Sequence, residues 1–264
     1  MVRSKKVVCV LPAYNAAKTL ALTLQEIPTG IVDHFVIVDD GSTDATLKIA
    51  EELKNQYSLE IITHGKNLGY GANQKTCYNH ALSLNADIIV MLHPDYQYDP
   101  RLLGSMVEMI ASEVYDLALG SRVLGQGALA GGMPLYKYIS NRALSFIQNL
   151  ILNQNLSEYH TGYRAYSSRL LRTLAFQNYS DDFVFDNEIL VQSTLAGFNI
   201  GEISVPAKYF AEASTIGFSR SVRYGFGVLR CSLDALVFRL SLWPSRSQKH
   251  QNKLTALNVP ETCK

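Results

Sequence analysis

Two carboxylates stand at the end of an apolar, β-rich run in the stretch VIVDDGSTDAT, residues 36–46. Gly41 supplies a turn after them, and Ser42 suits the N-cap of a following helix. Turn and cap roles account well for Ser42 but poorly for Asp39, because neighbouring carboxylates repel each other unless something binds them. The Asp39–Asp40 pair therefore predicts a ligand-binding strand end.

A second polar stretch, LHPDYQYDP at residues 92–100, follows another apolar run. His93, Asp95 and Gln97 alternate, so in an extended loop they share one face. Oxygen donors suit Mg²⁺ or Mn²⁺, and such a set can hold the ion against a pyrophosphate. Two ordinary structural roles stay open: His93 can be a structural histidine, and residues 99–100 read as a helix start.

Acidic and basic residues of the second half offer further chemistry. In FDNEIL, Asp186 and Glu188 are candidate general bases. Their i, i+2 spacing keeps them off one helix face, so at most one points into a site. Guanidinium groups suit phosphate recognition, and Arg122 and Arg164, each beside a glycine-containing motif, are the candidates.

The elements that must position these residues alternate along the first half. The apolar, β-rich runs are Val7–Leu11, Phe35–Val38, Leu59–Thr63, Asp87–Leu92 and Leu117–Leu119. The helical patterns between them are Ala16–Ile27, Thr43–Asn55, Gly71–Leu84 and Asp99–Ala111. Such alternation predicts right-handed βαβ units and a mainly parallel sheet flanked by helices. Ligands bind beyond the carboxyl ends of such strands, where both polar stretches fall.

The second half is less regular. A glycine-rich loop at 125–135 is of the kind that covers a site. Helices at Tyr136–Leu152 and Phe185–Ala196 and a strand at Ile203–Phe210 are predicted next. An apolar helical segment with sparse charges, Val222–Trp243, suits an interfacial helix, a core helix or a dimer contact.

The predicted organisation is one main domain, a helical extension and a tail. The main domain covers residues 1–215, the extension 216–245, and a polar tail at 246–264 is expected to be disordered. No apolar run is long enough to span a membrane, and the N-terminus does not resemble a signal peptide.

Composition limits the class of protein. The chain has 264 residues, of which 47% are hydrophobic and 18% charged, as in a globular protein. A formal net charge of +1 gives no overall attraction to nucleic acid. The four cysteines are scattered and form no disulfide framework, which indicates a reducing, cytoplasmic setting.

Seven motifs together carry a resemblance to a known family. They are LPAYN (11–15), VDDGSTD (38–44), NLGYGAN (67–73), HPDYQ (93–97), GSR (120–122), HTGYR (160–164) and FDNEIL (185–190). In this order the chain resembles a family 2 glycosyltransferase of GT-A fold, in the branch of dolichyl-phosphate mannose synthase and other polyprenyl-phosphate glycosyltransferases. The resemblance covers residues 8 to about 224.

The resemblance implies a role for each matching residue. The nucleotide pocket would consist of Pro12, Ala13, Tyr14, Asp39, Asp40 and Gly41. The metal that bridges the donor phosphates would be held by Asp95 and Gln97, with His93 at the third position. The acceptor phosphate would meet Ser121, Arg122, Lys137 and Ser140, with Arg164 as a further candidate. The family inverts the anomeric carbon by direct displacement.

The sequence departs from the family pattern at two positions. Ala16 stands where the family usually has an acidic residue. His93 stands where the family's Asp-x-Asp metal motif has its first aspartate. A neutral imidazole can bind Mn²⁺, but the exchange removes one negative charge and is expected to weaken the metal site.

These observations predict an inverting transferase that uses a UDP- or GDP-sugar and Mn²⁺ or Mg²⁺. The expected acceptor is a polyprenyl phosphate, which is already ionised and needs no base, in cell-envelope or other glycan synthesis. Transfer to a saccharide hydroxyl and non-catalytic binding of a sugar nucleotide remain alternatives. A dinucleotide-dependent oxidoreductase is disfavoured, because LPAYN replaces the glycine-rich fingerprint after the first strand. The expected location is the cytoplasm, with peripheral membrane contact left open.

Overall fold

The computed structural model describes residues 1–125, 127–209 and 218–242. Its strands are β1 (Val7–Ala13), β2 (His34–Asp39), β3 (Leu59–Thr63), β4 (Ile88–Met91), β5 (Leu117–Ser121), β6 (Arg164–Ser167) and β7 (Ile200–Ser204). Its α-helices are α1 (Leu20–Gln25), α2 (Thr46–Leu53), α3 (Tyr70–Ser83), α4 (Leu103–Ala111), α5 (Gly127–Ala130), α6 (Leu135–Leu152), α7 (Ser168–Thr173), α8 (Phe185–Leu195) and α9 (Phe218–Leu242). Short 3-10 helices cover Pro100–Leu102 and Phe176–Asn178.

The strands form one sheet in the order β3-β2-β1-β4-β6-β5-β7. Strands β3, β2, β1 and β4 run parallel, as do β5 and β7. Strand β6 runs antiparallel to β4 on one side and to β5 on the other. The sheet is therefore mainly parallel, and its strand order brings the carboxyl ends of β2, β1 and β4 side by side.

Helices cover both faces of this sheet. Every residue of β1 is buried, as expected for a central parallel strand covered on both sides. One apolar layer joins the sheet to α3 and α8 through residues such as Tyr78 and Phe185. The opposite layer joins it to α1 and α4 through residues such as Leu24 and Met106.

Two predicted elements of the second half differ from the structure. The strand predicted at Ile203–Phe210 is observed as β7, at Ile200–Ser204. Pro206 explains the earlier end, since proline has no N–H to donate to a ladder. The glycine-rich stretch contains the short helix α5, and a Cβ at Gly131 would lie only 1.8 Å from the Ala207 carbonyl oxygen, so this stretch packs closely on the chain after β7.

Helix α9 packs against α6 and α8 with one face and exposes the other. Val228, Ser232 and Ala235 are buried. The exposed large apolar side chains of α9 are Val222, Phe226, Leu233, Val237 and Leu240. Those of α6 are Leu135, Tyr136, Ile139, Phe146, Ile147 and Leu150. We call the two sets together the α6/α9 apolar face.

The C-terminal region is described only in part. Helix α9 lies within the stretch 216–245 that the sequence predicts to be helical, and Trp243 lies outside the described residues. The predicted disordered tail at 246–264 also lies outside them. Among the residues that the structure describes, no helix has both the length and the apolar character needed to cross a bilayer.

Candidate active site

The carboxyl end of β2 holds a buried carboxylate oxygen with no partner. In the register of β1 and β2, Asp39 lies beside Ala13, and Pro12 lies beside Val38. Asp39 is 4% exposed, and its Oδ2 accepts a hydrogen bond from the Ser42 amide at 3.1 Å. Its Oδ1 is buried and has no hydrogen-bond partner within the described residues. Buried polar atoms are nearly always paired, so this oxygen is suited to an N–H donor from a ligand.

Tyr14 completes the edge of this pocket, since it directly follows β1 and its side chain is 51% exposed. Such a ring can cover a planar group that lies against the end of the strand. The structure thus places Pro12, Ala13, Tyr14 and Asp39 together, where the sequence predicted a nucleotide pocket.

Asp40 faces the opposite way and holds a loop. Its Oδ1 accepts from His64 Nδ1 at 2.7 Å and from the Leu68 amide at 2.9 Å, and its Oδ2 accepts from the Gly69 amide at 3.1 Å. Gly41 has φ +71, and a Cβ there would lie 2.8 Å from the backbone of Lys66. In this structure both residues shape the loop before α3, a role that differs from the ligand contact expected of them.

The loop after β4 presents the second group of predicted residues. Asp95 is partly buried, and its Oδ1 accepts from the Gln97 amide at 3.0 Å, which orients the carboxylate. Gln97 is 7% exposed, and its carbonyl accepts from the Lys208 amide at 2.8 Å. Tyr96 between them has φ +57, so the loop turns sharply at that residue.

His93 is half-buried and bonded to a residue outside its own loop. Its Nε2 is 2.9 Å from the Tyr70 hydroxyl, which donates to Asp186 Oδ2 at 2.6 Å. The Tyr70 ring stacks on His93 and on Phe183, with ring centroids 5.3 and 4.6 Å apart. Burial lowers the pKa of His93, so the imidazole is neutral near pH 7.

The two candidate bases point in different directions, as their spacing predicted. Asp186 is 6% exposed, and its Oδ1 is buried without a partner among the described residues. Glu188 instead accepts from the Ser180 amide at 2.7 Å. Asp186 is therefore the one of the pair that lies beside the loop after β4.

Arg164 does not reach a phosphate site in this structure. Its side chain is fully buried at the start of β6. It donates from Nε to the Thr161 carbonyl at 2.8 Å, from Nη1 to the Asp186 carbonyl at 2.6 Å and from Nη2 to the Tyr159 carbonyl at 3.2 Å. The expected phosphate contact is corrected to a structural one, because Arg164 joins the HTGYR motif to α8.

Arg122 is tied to a buried acidic partner that the sequence analysis missed. Its guanidinium pairs with Glu158, which is 0% exposed, and also donates to the His160 carbonyl at 2.7 Å and the Tyr209 hydroxyl at 3.0 Å. Burial alone would raise the pKa of Glu158, but the Arg122 charge and hydrogen bonds lower it. Arg122 thus retains little donor capacity for a ligand.

The other predicted acceptor contacts are divided between buried and exposed positions. Ser121 is 0% exposed, and its hydroxyl bonds Ser157 at 2.7 Å. Ser140 is exposed on α6. Burial, together with the charge of Arg122, lowers the pKa of Lys137. Lys137 itself is half-buried on α6.

Two residues outside the predicted set organise this region. Tyr70 links His93 to Asp186, and Glu158 neutralises Arg122. Each had a sequence signal: Tyr70 is the tyrosine of NLGYGAN, and Glu158 is the acidic residue of the loop before HTGYR. The sequence does not show that Tyr70 pairs with His93 or Glu158 with Arg122, because the residues of each pair are more than twenty positions apart.

The donors after β4 fit a metal ion that arrives with phosphates. The described residues contain no cluster of three His, Cys, Asp or Glu side chains able to hold a metal by themselves. Asp95 supplies one carboxylate, with His93 and Gln97 nearby in the same loop. Magnesium sites are commonly built from one or two carboxylates plus substrate phosphates, and this donor set fits that pattern.

Comparison with known proteins finds glycosyltransferases among the relatives of this chain. The chain is 29% identical over 218 residues to the UDP-N-acetylglucosamine–dolichyl-phosphate N-acetylglucosaminyltransferase of Methanococcus voltae, covering 78% of this chain and 86% of that protein. It is 27% identical to glycosyltransferase AglD of Haloferax volcanii, covering 74% of this chain and 32% of that protein.

A solved structure shares the fold. Glucosyl-3-phosphoglycerate synthase of Mycobacterium tuberculosis, in complex with Mn²⁺, UDP and phosphoglyceric acid, matches with a TM-score of 0.63 and 15% identity, over 88% of this chain and 79% of that one. The predicted fold class is thereby confirmed as GT-A, with a mainly parallel sheet and a C-terminal helix.

The family itself is decided by the match of residues 8–175 to the model of glycosyl transferase family 2. That stretch contains the strand ends of Asp39 and Asp95 and the HTGYR motif. The prediction made from the order of the motifs is confirmed: the chain is a glycosyltransferase and belongs to glycosyl transferase family 2.

Proposed function

We propose that the protein transfers a sugar from a nucleoside-diphosphate sugar to a polyprenyl phosphate, with inversion at the anomeric carbon. The observation that carries the proposal is the position of two carboxylates, Asp39 at the end of β2 and Asp95 in the loop after β4, since β2 and β4 are the strands that flank β1. Asp39 offers a buried oxygen that has no partner in the part of the chain that the structure describes, and Asp95 offers an oriented carboxylate. Both lie at the end of the sheet where such folds bind ligands.

The nucleotide base would bind at the end of β2. Asp39 Oδ1 is suited to accept from an imide or amide N–H of uracil or guanine, with Tyr14 against the ring. The name of the Methanococcus relative and the UDP complexes of the structural neighbours favour UDP over GDP.

The diphosphate would lie beyond β4, where Asp95 and Gln97, with His93 beside them, would hold Mn²⁺ or Mg²⁺. The ion would supply positive charge to the leaving nucleoside diphosphate. Asp95 would fix the position of the phosphates, beside the half-buried and hydrogen-bonded side chains of His93 and Tyr70. Structural neighbours that contain Mn²⁺ or Mg²⁺ with UDP support this assignment.

The acceptor proposal draws on the relative's name and on the α6/α9 apolar face. The Methanococcus relative is named for a dolichyl-phosphate acceptor. Helix α6 meets the candidate site through Asn141, which donates to Glu158 at 2.7 Å, and α9 meets it through Tyr224, whose hydroxyl is 2.7 Å from His160 Nδ1. The two helices that carry the apolar face thus also contact residues around Arg122.

A saccharide hydroxyl is the second candidate acceptor, and one observation favours it. Asp186 Oδ1 is buried and has no partner among the described residues, so it can accept a proton from a hydroxyl. A polyprenyl phosphate needs no such base. Asp186 would therefore be needed as a base for a hydroxyl acceptor but not for a polyprenyl phosphate, and this difference distinguishes the two acceptors.

The proposed function is tested by nucleotide release from UDP- and GDP-sugars with Mn²⁺, in the presence of a polyprenyl phosphate or of a free saccharide. We expect UDP release that depends on the polyprenyl phosphate and yields a β-linked product from an α-linked donor. Binding of every donor without nucleotide release would leave only a sugar-nucleotide binding protein. Release with the saccharide alone would favour the hydroxyl acceptor.

We also propose that the α6/α9 apolar face binds the cytoplasmic surface of a membrane. Arg223 and Arg230 are exposed on α9 beside the apolar side chains, an arrangement that suits anionic headgroups. Phe226 is 70% exposed. Burying a phenylalanine in lipid contributes roughly 1.5–3 kcal/mol, so Phe226→Asp is expected to weaken binding to anionic vesicles by roughly tenfold or more.

Vesicle flotation measures this effect, with Val114→Asp as the matched control. Val114 is also an exposed apolar residue, at 56%, but it follows α4 and lies outside the apolar face. The control should float like the wild type. A wild-type protein that stays unbound and forms a dimer, which Phe226→Asp dissociates, would identify the face as a contact between two copies instead.

A further inference from the structure

The imidazole at position 93 is connected to a carboxylate by a chain of two hydrogen bonds. His93 Nε2 lies 2.9 Å from Tyr70 Oη, and Tyr70 donates to Asp186 Oδ2 at 2.6 Å. Asp186 comes from α8, far along the chain, so the connection is tertiary and cannot be seen in any one motif. It reaches the same position at which the family pattern has an aspartate.

The direction of these bonds fixes where the histidine proton lies. A carboxylate only accepts, so the single hydroxyl proton of Tyr70 is committed to Asp186. Tyr70 Oη can then only accept from His93, which requires the proton of the neutral imidazole to be on Nε2. The Nδ1 atom is left with a free lone pair.

The surroundings hold this arrangement in place. A Cβ at Gly162 would lie 2.7 Å from His93 Nε2, so the ring packs directly on the backbone of the HTGYR motif. The Tyr70 ring lies between His93 and Phe183. Arg164 donates to the Asp186 carbonyl at 2.6 Å and fixes the start of α8. These contacts hold the side chains of His93, Tyr70 and Asp186 in the positions that the two hydrogen bonds require.

We infer that Tyr70 and Asp186 are positioning residues that hold His93 in its Nε2–H form, so that Nδ1 is presented to the metal–diphosphate complex of the donor. Ligating histidines almost always donate their other N–H to a hydrogen-bond acceptor, which fixes the tautomer and the orientation of the ring. Here Tyr70 connects His93 to Asp186 through hydrogen bonds. Asp186 thereby supplies indirectly the negative charge that the family's aspartate supplies directly. This inference rests on the proposed function.

The first test reads the histidine itself. In ¹⁵N-labelled wild-type protein without metal, two-dimensional spectra should give His93 a pyrrole-type Nε2 and a pyridine-type Nδ1. The signal is assigned by its loss in His93→Asn, which separates it from the five other histidines. Tyr70→Phe should shift the ring towards the Nδ1–H form or a mixture. A wild-type Nδ1–H form, or a spectrum unchanged in Tyr70→Phe, would overturn the inference.

The second test measures Mn²⁺ binding in the presence of UDP, followed by the electron paramagnetic resonance signal of free Mn²⁺. Removing a partner of a ligand typically weakens metal affinity by about 10–100-fold, and this loss is expected for Tyr70→Phe. In a His93→Asn background the same change should have no further effect, because Tyr70 acts through His93. Additive losses in the two backgrounds would show that Tyr70 acts otherwise and would contradict the inference.

Tyr57→Phe is the matched control. Tyr57 packs edge-on against Phe35, away from β4, and its loss of a hydroxyl should leave the Mn²⁺ affinity and the His93 spectrum unchanged. The failures of the two proposals are distinguishable, since neither measurement requires sugar transfer. Normal His93 spectra and Mn²⁺–UDP binding without transfer would refute only the proposed function. If the protein transfers sugar but Tyr70→Phe leaves the His93 spectrum unchanged, only this inference is refuted.

Discussion

Replacing Asp95 with asparagine is expected to slow sugar transfer by on the order of a thousandfold, the loss typical when one preorganised group that serves the developing charge is removed. Asp95 is the one carboxylate among the three predicted metal ligands of the loop after β4. Asparagine keeps the size and the oxygen that accepts from the Gln97 amide, so the loop should keep its shape. What it removes is the negative charge that the metal needs.

The measurement is the rate of UDP release under saturating Mn²⁺, with Asp99→Asn as the matched control. Asp99 undergoes the same chemical change four residues later, but it caps the 3-10 helix and pairs with the exposed Arg101. The control should keep most of its activity, and both variants should keep the wild-type circular dichroism spectrum. Wild-type turnover in Asp95→Asn would show that the metal site lies elsewhere.

The strands and helices of the first half could be predicted because the spacing of their apolar residues matches the faces that they bury in the fold. Strands β1, β2, β4 and β5 are apolar runs that are almost wholly buried, the edge strand β3 is partly buried, and helical segments of regular spacing separate the five. Strand β6 could not be found in this way. Its sequence, RAYS, begins with a buried arginine, and it pairs antiparallel with β4 and β5, which precede it by about 70 and 40 residues.

Some residues of the candidate site could likewise be predicted from the sequence, and others could not. The strand-end carboxylate Asp39 was located because its charge has no local explanation. Arg122 and Arg164 were predicted to meet phosphates because guanidinium groups suit phosphate recognition, and Arg122 also because GSR matches the family's acceptor-phosphate stretch. Their partners in the structure are Glu158 and backbone carbonyls, and whether a guanidinium faces a ligand or the interior depends on contacts that spacing does not encode.

Glu158→Gln is expected to lower the free energy of unfolding by about 3–5 kcal/mol at pH 7, the usual cost of removing one partner of a buried ion pair. Glu158 is 0% exposed and accepts from the Arg122 backbone amide at 2.8 Å as well as from its guanidinium. Glutamine keeps the shape but leaves the Arg122 charge buried without a counterion. Chemical denaturation measures the loss, and Glu113→Gln, which removes an exposed partner of Lys5, should have little effect.

The same pair makes a prediction about pH with a definite sign. The pKa of Glu158 is lower in the folded protein than in the unfolded chain, where a glutamate titrates at about 4.3. The unfolded chain therefore binds the proton first as the pH falls. The stability contributed by Glu158 is fully present above about pH 5 and is lost as the pH drops through the folded-state pKa. The wild type should lose stability in that range more steeply than Glu158→Gln. Equal slopes, with unchanged stability at pH 7, would mean that Arg122 does not depend on Glu158 for its charge balance and is available to a phosphate after all.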